Sequence, residues 1–267
     1  MPVGVICGSG FEEIVEAVRK FKIDTPFGTV YGAEALVGGI KTYFIPRHGF
    51  KHEYPPHRVN YKGNILALKL LNVDKIIATG AVGSLRREFK PGSIVLVDQF
   101  IDYTKRTITF YDDMVVHVDV SKPYCPAIRN ILYEVAKEVG IEVFNGGTYI
   151  CTEGPRFETP AEIKMFKMLG ADVVGMTNVP EVVLAREMAI HYGLIAIVTN
   201  YAAGMQDRVS HEEVIELMGR MRSNVFEIIK RAIPKVEEIN ASDDCTSYSE
   251  YAARYISGIR WSFEYMR

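Results

Sequence analysis

Short apolar runs separated by amphipathic segments constrain the fold of this chain more than any other feature of its sequence. Several runs are apolar at every position, a pattern typical of strands covered on both faces. The predicted strands are VGVIC (3–7), KTYFIP (41–46), DKIIATG (74–80), SIVLVDQF (93–100), GTYICTEG (147–154), ADVVGM (171–176) and LIAIVTN (194–200). The predicted helices cover residues 11–21, 60–72, 126–139, 159–169, 179–192 and 210–232. This alternation predicts one α/β domain over residues 1–267, with helices around a mixed sheet and a tail from residue 237 that docks as a final helix.

Composition and charge argue against several classes of partner. The chain is 48% hydrophobic and 24% charged with a net charge of −2, which gives no electrostatic basis for binding nucleic acid or an anionic membrane. No apolar run approaches the ~18–20 residues that span a bilayer. The first residues lack the layout of a signal peptide, and the four cysteines lack CxxC or metal-like spacing. We therefore expect a cytoplasmic protein with reduced thiols and without nucleic-acid or membrane partners.

Two glycine-containing turns directly follow predicted strands, where open α/β sheets bind their ligands. The first, CGSGFEE at residues 7–13, can offer backbone N–H groups and the Ser9 hydroxyl to an anion, or it can serve only as a tight strand-to-helix turn. In the second, GAVGS at residues 80–84, the glycines let the backbone around Ala81 approach a ligand closely.

The loop IPRHGFKHEYPPHRVNY after the second predicted strand carries three of the six histidines. Arg47 and His48 come directly after the strand and can hold an oxyanion through charge-assisted hydrogen bonds. The residues leave two alternatives open, a metal site formed by His48, His52 and His57, and a solvated basic loop.

Further polar residues stand at the ends of later strands. Thr177 is a candidate phosphate ligand or a helix cap, and Met176 can pack against an apolar ligand face. Asn200 carries both a donor and an acceptor, so it can bind the edge of a heterocycle or form a turn. His211 lies in the first turn of a predicted helix, a position that is usually on the surface.

The segment TEGPRFETPAE places a large aromatic ring in a turn, where small polar residues are usual. Phe157 and Glu158 can therefore bind a planar ring together with Asn200. A phosphate-like site and a planar-ring site in one chain indicate a nucleoside or nucleotide ligand.

The motifs GSG, PRHG, TGAVGSL, EGPRFET, GMTNVPEVVLARE and VTNYAAG occur in the order found in a known family. Across residues 1–235 the chain resembles the trimeric-type nucleoside phosphorylases, which include purine nucleoside phosphorylase and methylthioadenosine phosphorylase. The resemblance implies a partly barrel-like sheet, a homotrimer or homohexamer, and a transferase that splits a purine nucleoside with inorganic phosphate. It also implies that no metal or organic cofactor is needed and that inorganic phosphate is a co-substrate.

The same resemblance implies roles for individual residues. Asn200 relieves the charge of the departing purine, and His48 positions the nucleophile together with Arg47. His117 falls where the methylthio branch brings a histidine towards the pocket of a neighbouring subunit. The implied phosphate ligands are Ser9, Arg47, His48, Ala81 and Thr177; the base ligands are Phe157, Glu158 and Asn200; the ribose contacts are Met176, His211 and His117.

Glu158 and Asn200 decide which purine we expect. The adenine-selective methylthioadenosine enzymes have a serine in place of Glu158 and aspartates in place of Asn200 and Ala202. A carboxylate only accepts hydrogen bonds, so it favours hypoxanthine or guanine, whose N1 carries a hydrogen. We therefore expect inosine and guanosine as substrates. Because other stretches are closer to the methylthio branch, methylthioinosine and then methylthioadenosine are the alternatives, followed by a non-catalytic nucleoside sensor and a metal-dependent hydrolase.

Overall fold

Strands and helices alternate along the computed structural model, which describes residues 1–8, 19–240 and 247–266. The strands are β1 (Val3–Cys7), β2 (Arg19–Thr25), β3 (Gly28–Val37), β4 (Ile40–Pro46), β5 (Lys75–Ser84), β6 (Ile94–Leu96), β7 (Gln99–Tyr103), β8 (Val143–Asn145), β9 (Thr148–Thr152), β10 (Val173–Gly175), β11 (His191–Tyr201) and β12 (Ser262–Tyr265). The α-helices are α1 (Tyr61–Leu70), α2 (Pro126–Val139), α3 (Pro160–Met168), α4 (Asn178–Glu187), α5 (His211–Glu237) and α6 (Ser249–Ser257). A short 3-10 helix covers Pro56–Arg58.

The described strands form a single mixed sheet that branches at β5. Strand β1 pairs in parallel with β4 on one side and with β5 on the other, and β11 runs parallel to β5 along its whole length. Near its end β5 also pairs antiparallel with β10, which continues the sheet through β9 to β7. This branching gives the α/β architecture with a mixed sheet that the sequence predicts. It also brings the carboxyl ends of β1, β4, β5 and β11 to one edge.

Two large apolar cores cover the opposite faces of the sheet. Within β1, Val3 and Val5 pack into the core that contains α2 and α5, whereas Ile6 packs into the core that contains α1 and α4. All three side chains are fully buried. Helices cover both faces of β1, and this explains its uninterrupted apolar sequence, as predicted.

The helix ends follow their local sequence signals. Helix α5 begins where predicted, because the Ser210 hydroxyl accepts a hydrogen bond of 3.2 Å from the backbone N–H of Glu213. Helix α2 ends at Gly140, whose φ of +83° suits a residue without a side chain. In α3 the Thr159 and Glu162 side chains cap each other's backbone N–H groups.

Several predicted boundaries are wrong for identifiable reasons. Residues 19–21 belong to β2 and not to the predicted helix 11–21, because they pair with β3; residues 11–18 lie outside the described residues. The predicted helix 179–192 ends at Glu187, since pairing with β5 begins at His191. The predicted strand 93–100 divides into β6 and β7, which pair with different neighbours. Strands β2, β3, β8 and β12 were not predicted, because their apolar alternation is weak or they are very short.

The tail contains the predicted final helix and one strand more. Strand β12 pairs antiparallel with β2, and the Phe263 ring lies 5.4 Å from the Phe21 ring. Helix α6 packs Tyr255 against Phe110 and Tyr111. The tail therefore extends the sheet beyond β2. Among the helices of the described segments, none is long and apolar enough to cross a membrane.

Candidate active site

A cavity of about 350 Å³ opens at the sheet edge where β1, β4, β5 and β11 end. Its volume falls within the range of sites for small organic ligands. Residue Ser9 lies outside the described residues, and His117 is not part of the cavity wall. The predicted site residues that line the cavity are Arg47, His48, Ala81, Phe157, Glu158, Met176, Thr177, Asn200 and His211.

Arg47 is held by a buried ion pair that the sequence did not reveal. Its Nε and Nη2 atoms each donate a hydrogen bond of 2.6 Å to the Glu181 carboxylate, and Nη1 donates to the Thr79 carbonyl at 2.9 Å. Arg47 is 2% exposed and Glu181 is fully buried. Burial opposes the charge of Arg47, but the Glu181 carboxylate outweighs it and raises the pKa of the guanidinium. An arginine has five N–H donors, so the pair leaves others for a ligand anion.

Glu181 is itself fixed by a chain of buried hydrogen bonds behind the cavity. The Tyr192 hydroxyl donates to its Oε1 at 2.6 Å, and Asn178 Nδ2 donates to that hydroxyl oxygen at 2.9 Å. Tyr124 in turn donates to the Asn178 side chain. Each polar group has a partner, so the position of Arg47 is set by a connected network rather than by one contact.

The first turn beside this network requires a glycine. A Cβ at Gly8 would lie 2.9 Å from the Thr79 carbonyl oxygen and 3.3 Å from Arg47 Nη1. The Thr79 hydroxyl accepts the backbone N–H of Gly8 at 2.8 Å. Thr79 thereby joins the end of β1 to the guanidinium of Arg47.

His48 is oriented by its own loop. Its Nδ1 lies 2.7 Å from the carbonyl oxygen of Tyr54, and because a carbonyl only accepts, Nδ1 carries the hydrogen. The Tyr54 carbonyl therefore sets the tautomer and the orientation of the His48 ring at the cavity wall. The His48 ring stacks on His52 at 4.6 Å, and His52 lies 6.5 Å from His211. Three histidines therefore follow one another along a single wall of the cavity.

The base-binding candidates lie on another part of the wall. The Thr152 hydroxyl donates a 2.8 Å hydrogen bond to Glu158 Oε1. Burial raises the pKa of the Glu158 carboxyl, and the hydrogen bond from Thr152 acts in the opposite direction. Phe157 is 37% exposed at the cavity, so its ring remains accessible to a ligand.

Asn200 has a defined amide orientation. Its Oδ1 accepts the Thr199 hydroxyl at 2.7 Å, and its Nδ2 donates to the Tyr201 carbonyl at 2.8 Å. The second N–H of Nδ2 is left to donate, which suits a negatively charged or carbonyl acceptor. The close approach of Gly83 makes this possible, because a Cβ there would lie 3.3 Å from Asn200 Nδ2.

Arg106 joins the two turns that carry these residues. Its Nη1 donates to the carbonyls of Met176 and Val179, each at 3.0 Å, and to the Tyr61 hydroxyl at 2.9 Å. Its Nη2 donates to the Glu153 carbonyl, and its Nε to the Glu153 carboxylate. The turn before Phe157 and the turn around Thr177 are thus fixed relative to each other by one side chain.

The helix-cap alternative for Thr177 is not supported. Thr177 occupies the N-cap position of α4, but its side chain makes no capping hydrogen bond. Asn178 is buried and bonded to Tyr124 and Tyr192 instead of forming a cap. The Thr177 hydroxyl is therefore not committed to the helix that follows it.

Arg156 and His117 make contacts with other parts of the protein. Arg156 forms an exposed ion pair with Glu162 at 2.7 Å. The backbone carbonyl of His117 accepts a hydrogen bond from the Tyr248 hydroxyl in the tail. The described segments contain no group of three or more His, Cys, Asp or Glu residues arranged to hold a metal ion.

Sequence reasoning did not assign Glu181, Thr152 or Arg106. Glu181 could have been singled out from the sequence, because it is an acidic residue within the apolar stretch NVPEVVLA that follows a predicted buried strand. Thr152 and Arg106 gave none, since a threonine at a strand end and an arginine in the polar segment YTKRT are ordinary.

The chain is similar to known proteins over most of its length. Residues 2–234 match the phosphorylase superfamily. A probable 6-oxopurine nucleoside phosphorylase of Moorella thermoacetica is 49% identical over 243 residues, which cover 88% of this chain and 94% of that protein. A probable S-methyl-5'-thioinosine phosphorylase of Methanopyrus kandleri is 49% identical over 234 residues, covering 86% and 91%.

Solved structures agree with this assignment. Methylthioadenosine phosphorylase from Schistosoma mansoni in complex with tubercidin superposes with a TM-score of 0.86 at 33% identity, covering 96% of this chain and 98% of that one. The motif resemblance stated from the sequence is thus confirmed: this chain belongs to the phosphorylase superfamily, among the purine nucleoside and methylthioadenosine phosphorylases.

Proposed function

We propose that this protein is an enzyme that cleaves 6-oxopurine nucleosides, inosine and guanosine, with inorganic phosphate, giving the free base and ribose 1-phosphate in purine salvage. The observation that carries this proposal is the presence of Glu158 and the donating amide of Asn200 on the wall of one cavity. A carboxylate accepts the N1 hydrogen of hypoxanthine or guanine, whereas adenine presents a bare N1 to it. The relatives named 6-oxopurine nucleoside phosphorylase support the same substrate class.

In the proposed reaction the bond between C1′ and N9 breaks first, and its electron pair leaves with the purine. The sugar passes through an oxocarbenium-like state, which a phosphate dianion below C1′ stabilises and then captures through one of its oxygens, while the proton of that dianion ends on the departing purine. Asn200 donates to N7 or O6, where negative charge collects as the base departs. The proposed phosphate ligands are Arg47, His48, Ala81, Thr177 and, from the sequence alone, Ser9.

The remaining contacts belong to the sugar and to the assembly. Met176 packs against the ribose and His211 reaches its 5′-hydroxyl, while His117 contributes to the pocket of a neighbouring subunit in a homotrimer or homohexamer. The enzyme acts in the cytoplasm on small molecules. It uses phosphate as co-substrate and needs neither metal nor organic cofactor.

A second candidate substrate is 5′-methylthioinosine, which keeps the same base and changes only the 5′ end. Val209 and Val214 line the cavity beside His211, so this end offers apolar surface as well as a histidine. A relative at 49% identity is named for that substrate. Methylthioadenosine ranks third, because its base has no N1 hydrogen for Glu158.

The test is a coupled assay that follows release of hypoxanthine or guanine, with and without phosphate. Relative kcat/KM for inosine, guanosine, adenosine and their methylthio counterparts gives the substrate order. Absence of phosphate-dependent release from every purine nucleoside would exclude phosphorolysis. Tight binding without turnover would indicate a sensor, and phosphate-independent activity lost with a chelator would indicate a metal-dependent hydrolase.

A further inference from the structure

Thr152 is the last residue of β9 and contacts Glu158, the residue proposed to select the base. Its hydroxyl oxygen is 2.8 Å from Glu158 Oε1 and 3.4 Å from the Gly175 carbonyl oxygen. A hydroxyl has one hydrogen to donate. Because the carboxylate is both closer and negatively charged, the hydrogen goes to Glu158.

The bond from Thr152 engages one oxygen of a carboxylate that lines the ligand cavity. A carboxylate accepts several hydrogen bonds, so Glu158 can still accept one from a ligand. The charged groups near Glu158 are Arg156 and Glu162, which pair with each other at 2.7 Å and act on it in opposite directions. Burial, the Thr152 hydroxyl and the carboxyl's own backbone therefore govern its ionisation more than neighbouring charges do.

We propose that Thr152 is a positioning residue for base selection: its hydroxyl holds the Glu158 carboxylate in the orientation and the ionised state that accept the N1 hydrogen of a 6-oxopurine. The inference rests on the proposed function and adds to it a residue that does not touch the substrate. Thr152 acts only through Glu158.

The proposal predicts that base selection depends on pH. Ionised Glu158 accepts from N1–H, whereas protonated Glu158 carries an O–H that can donate to the bare N1 of a 6-aminopurine. Burial raises the pKa of Glu158, so selection for inosine over adenosine is complete above that pKa and is lost as the pH falls through it. Removing the Thr152 hydroxyl raises the pKa further, and the loss then begins at a higher pH.

The experiment measures kcat/KM for inosine and for adenosine as a function of pH in the wild type and in Thr152→Val. The ratio of the two values cancels the ionisation of phosphate and any loss common to both substrates. We expect the ratio at neutral pH to fall about tenfold in Thr152→Val, the size expected for a hydrogen bond to a charged group. We also expect its acid limb to move to higher pH, and Thr152→Ser to restore both.

Two further variants separate this role from a general loss of structure. The Thr109 hydroxyl donates to Glu187 Oε1 at 2.6 Å, an equivalent pair outside the cavity wall, so Thr109→Val should leave the ratio as in the wild type. Glu158→Gln replaces the carboxylate by an amide that both donates and accepts, so its ratio should not vary with pH in this range.

Two results would overturn the proposal: an unchanged ratio in Thr152→Val, which includes equal losses for both substrates, or failure of Thr152→Ser to restore the ratio. If Thr152→Val does not fold, Thr152→Ala removes the same hydroxyl with a smaller side chain. The ratio of the dissociation constants of hypoxanthine and adenine measures base selection without turnover. A wild type that binds hypoxanthine selectively but releases no base from inosine would refute the proposed function and leave the role of Thr152 to be judged from binding.

Discussion

The two ends of the cavity are built differently. At the proposed phosphate end, Arg47 makes three hydrogen bonds, two of them to Glu181, and a buried network continues behind them. At the proposed base end, the side chain that bonds to Glu158 is the Thr152 hydroxyl, and Phe157 remains partly exposed. The difference fits the roles proposed for the two ends. Phosphate would be the same co-substrate in every reaction, whereas the base would vary, so we expect a firmly held phosphate end and a base end whose selectivity depends on few residues.

We expect the largest loss of stability from a substitution in the buried network at the proposed phosphate end. Glu181→Ala leaves the Arg47 charge buried without its partner, and we expect a loss of about 3–5 kcal/mol in the free energy of unfolding. Urea denaturation measures this loss, and we also expect a higher KM for phosphate.

The matched control for that variant is an ion pair of similar length on the surface. Arg231 Nε lies 2.7 Å from Glu227, with both side chains more than a third exposed. Glu227→Ala should cost far less than Glu181→Ala, because water already solvates both charges. Equal losses of stability in the two variants, or an unchanged KM for phosphate in Glu181→Ala, would contradict the proposal that Glu181 holds Arg47 in position for phosphate.

The base end should respond in selectivity more than in stability. Asn200→Asp replaces a donating amide by a carboxylate that repels O6 of hypoxanthine and accepts the 6-amino group of adenine. We expect the ratio of kcat/KM for inosine over adenosine to fall by on the order of 100-fold. Asn64→Asp changes a buried asparagine outside the cavity wall and should leave this ratio unchanged. An unchanged ratio in Asn200→Asp would remove Asn200 from base selection.

The sequence predicted which strand ends carry the site but not how the side chains there are held. Arg47 and Asn200 could be placed because each stands at the end of a buried apolar strand, and the parallel strands β4, β1, β5 and β11 end at one edge of the sheet. Thr177 follows β10, which pairs antiparallel with β5, so this rule alone does not explain its position at the cavity. The pairing of Arg47 with Glu181 joins residues 134 positions apart. Either residue could pair with many others in the chain, and only the folded sheet selects this partner.

The fold was predictable to a similar extent. Strand β1 was predicted with its observed bounds, because helices on both faces leave a continuous apolar signal. Strand β2 was not, because its sequence RKFKIDT is polar on one face and follows a segment with helical periodicity. Its pairing with β3 and with the distant β12 is a tertiary effect, which outweighs local preference.

The smallest expected effect concerns the part of the cavity around His211, where we propose that the 5′ position of the sugar binds. His211 is exposed at the cavity and lies beside two valines that also line it. His211→Val removes a hydrogen-bond donor to a 5′-hydroxyl but keeps apolar surface for a methylthio group. We therefore expect about a fivefold larger loss of kcat/KM for inosine than for methylthioinosine, the size of one hydrogen bond between neutral groups.

The control for His211→Val is a histidine outside the cavity wall. His57 belongs to the same histidine-rich loop as His48 but is not part of the cavity wall, so His57→Val should affect neither substrate selectively. Equal losses for the two substrates in His211→Val would show that the histidine does not contact the 5′-hydroxyl. The 5′ end would then select by shape through Val209 and Val214, and methylthioinosine would become the better candidate for the substrate.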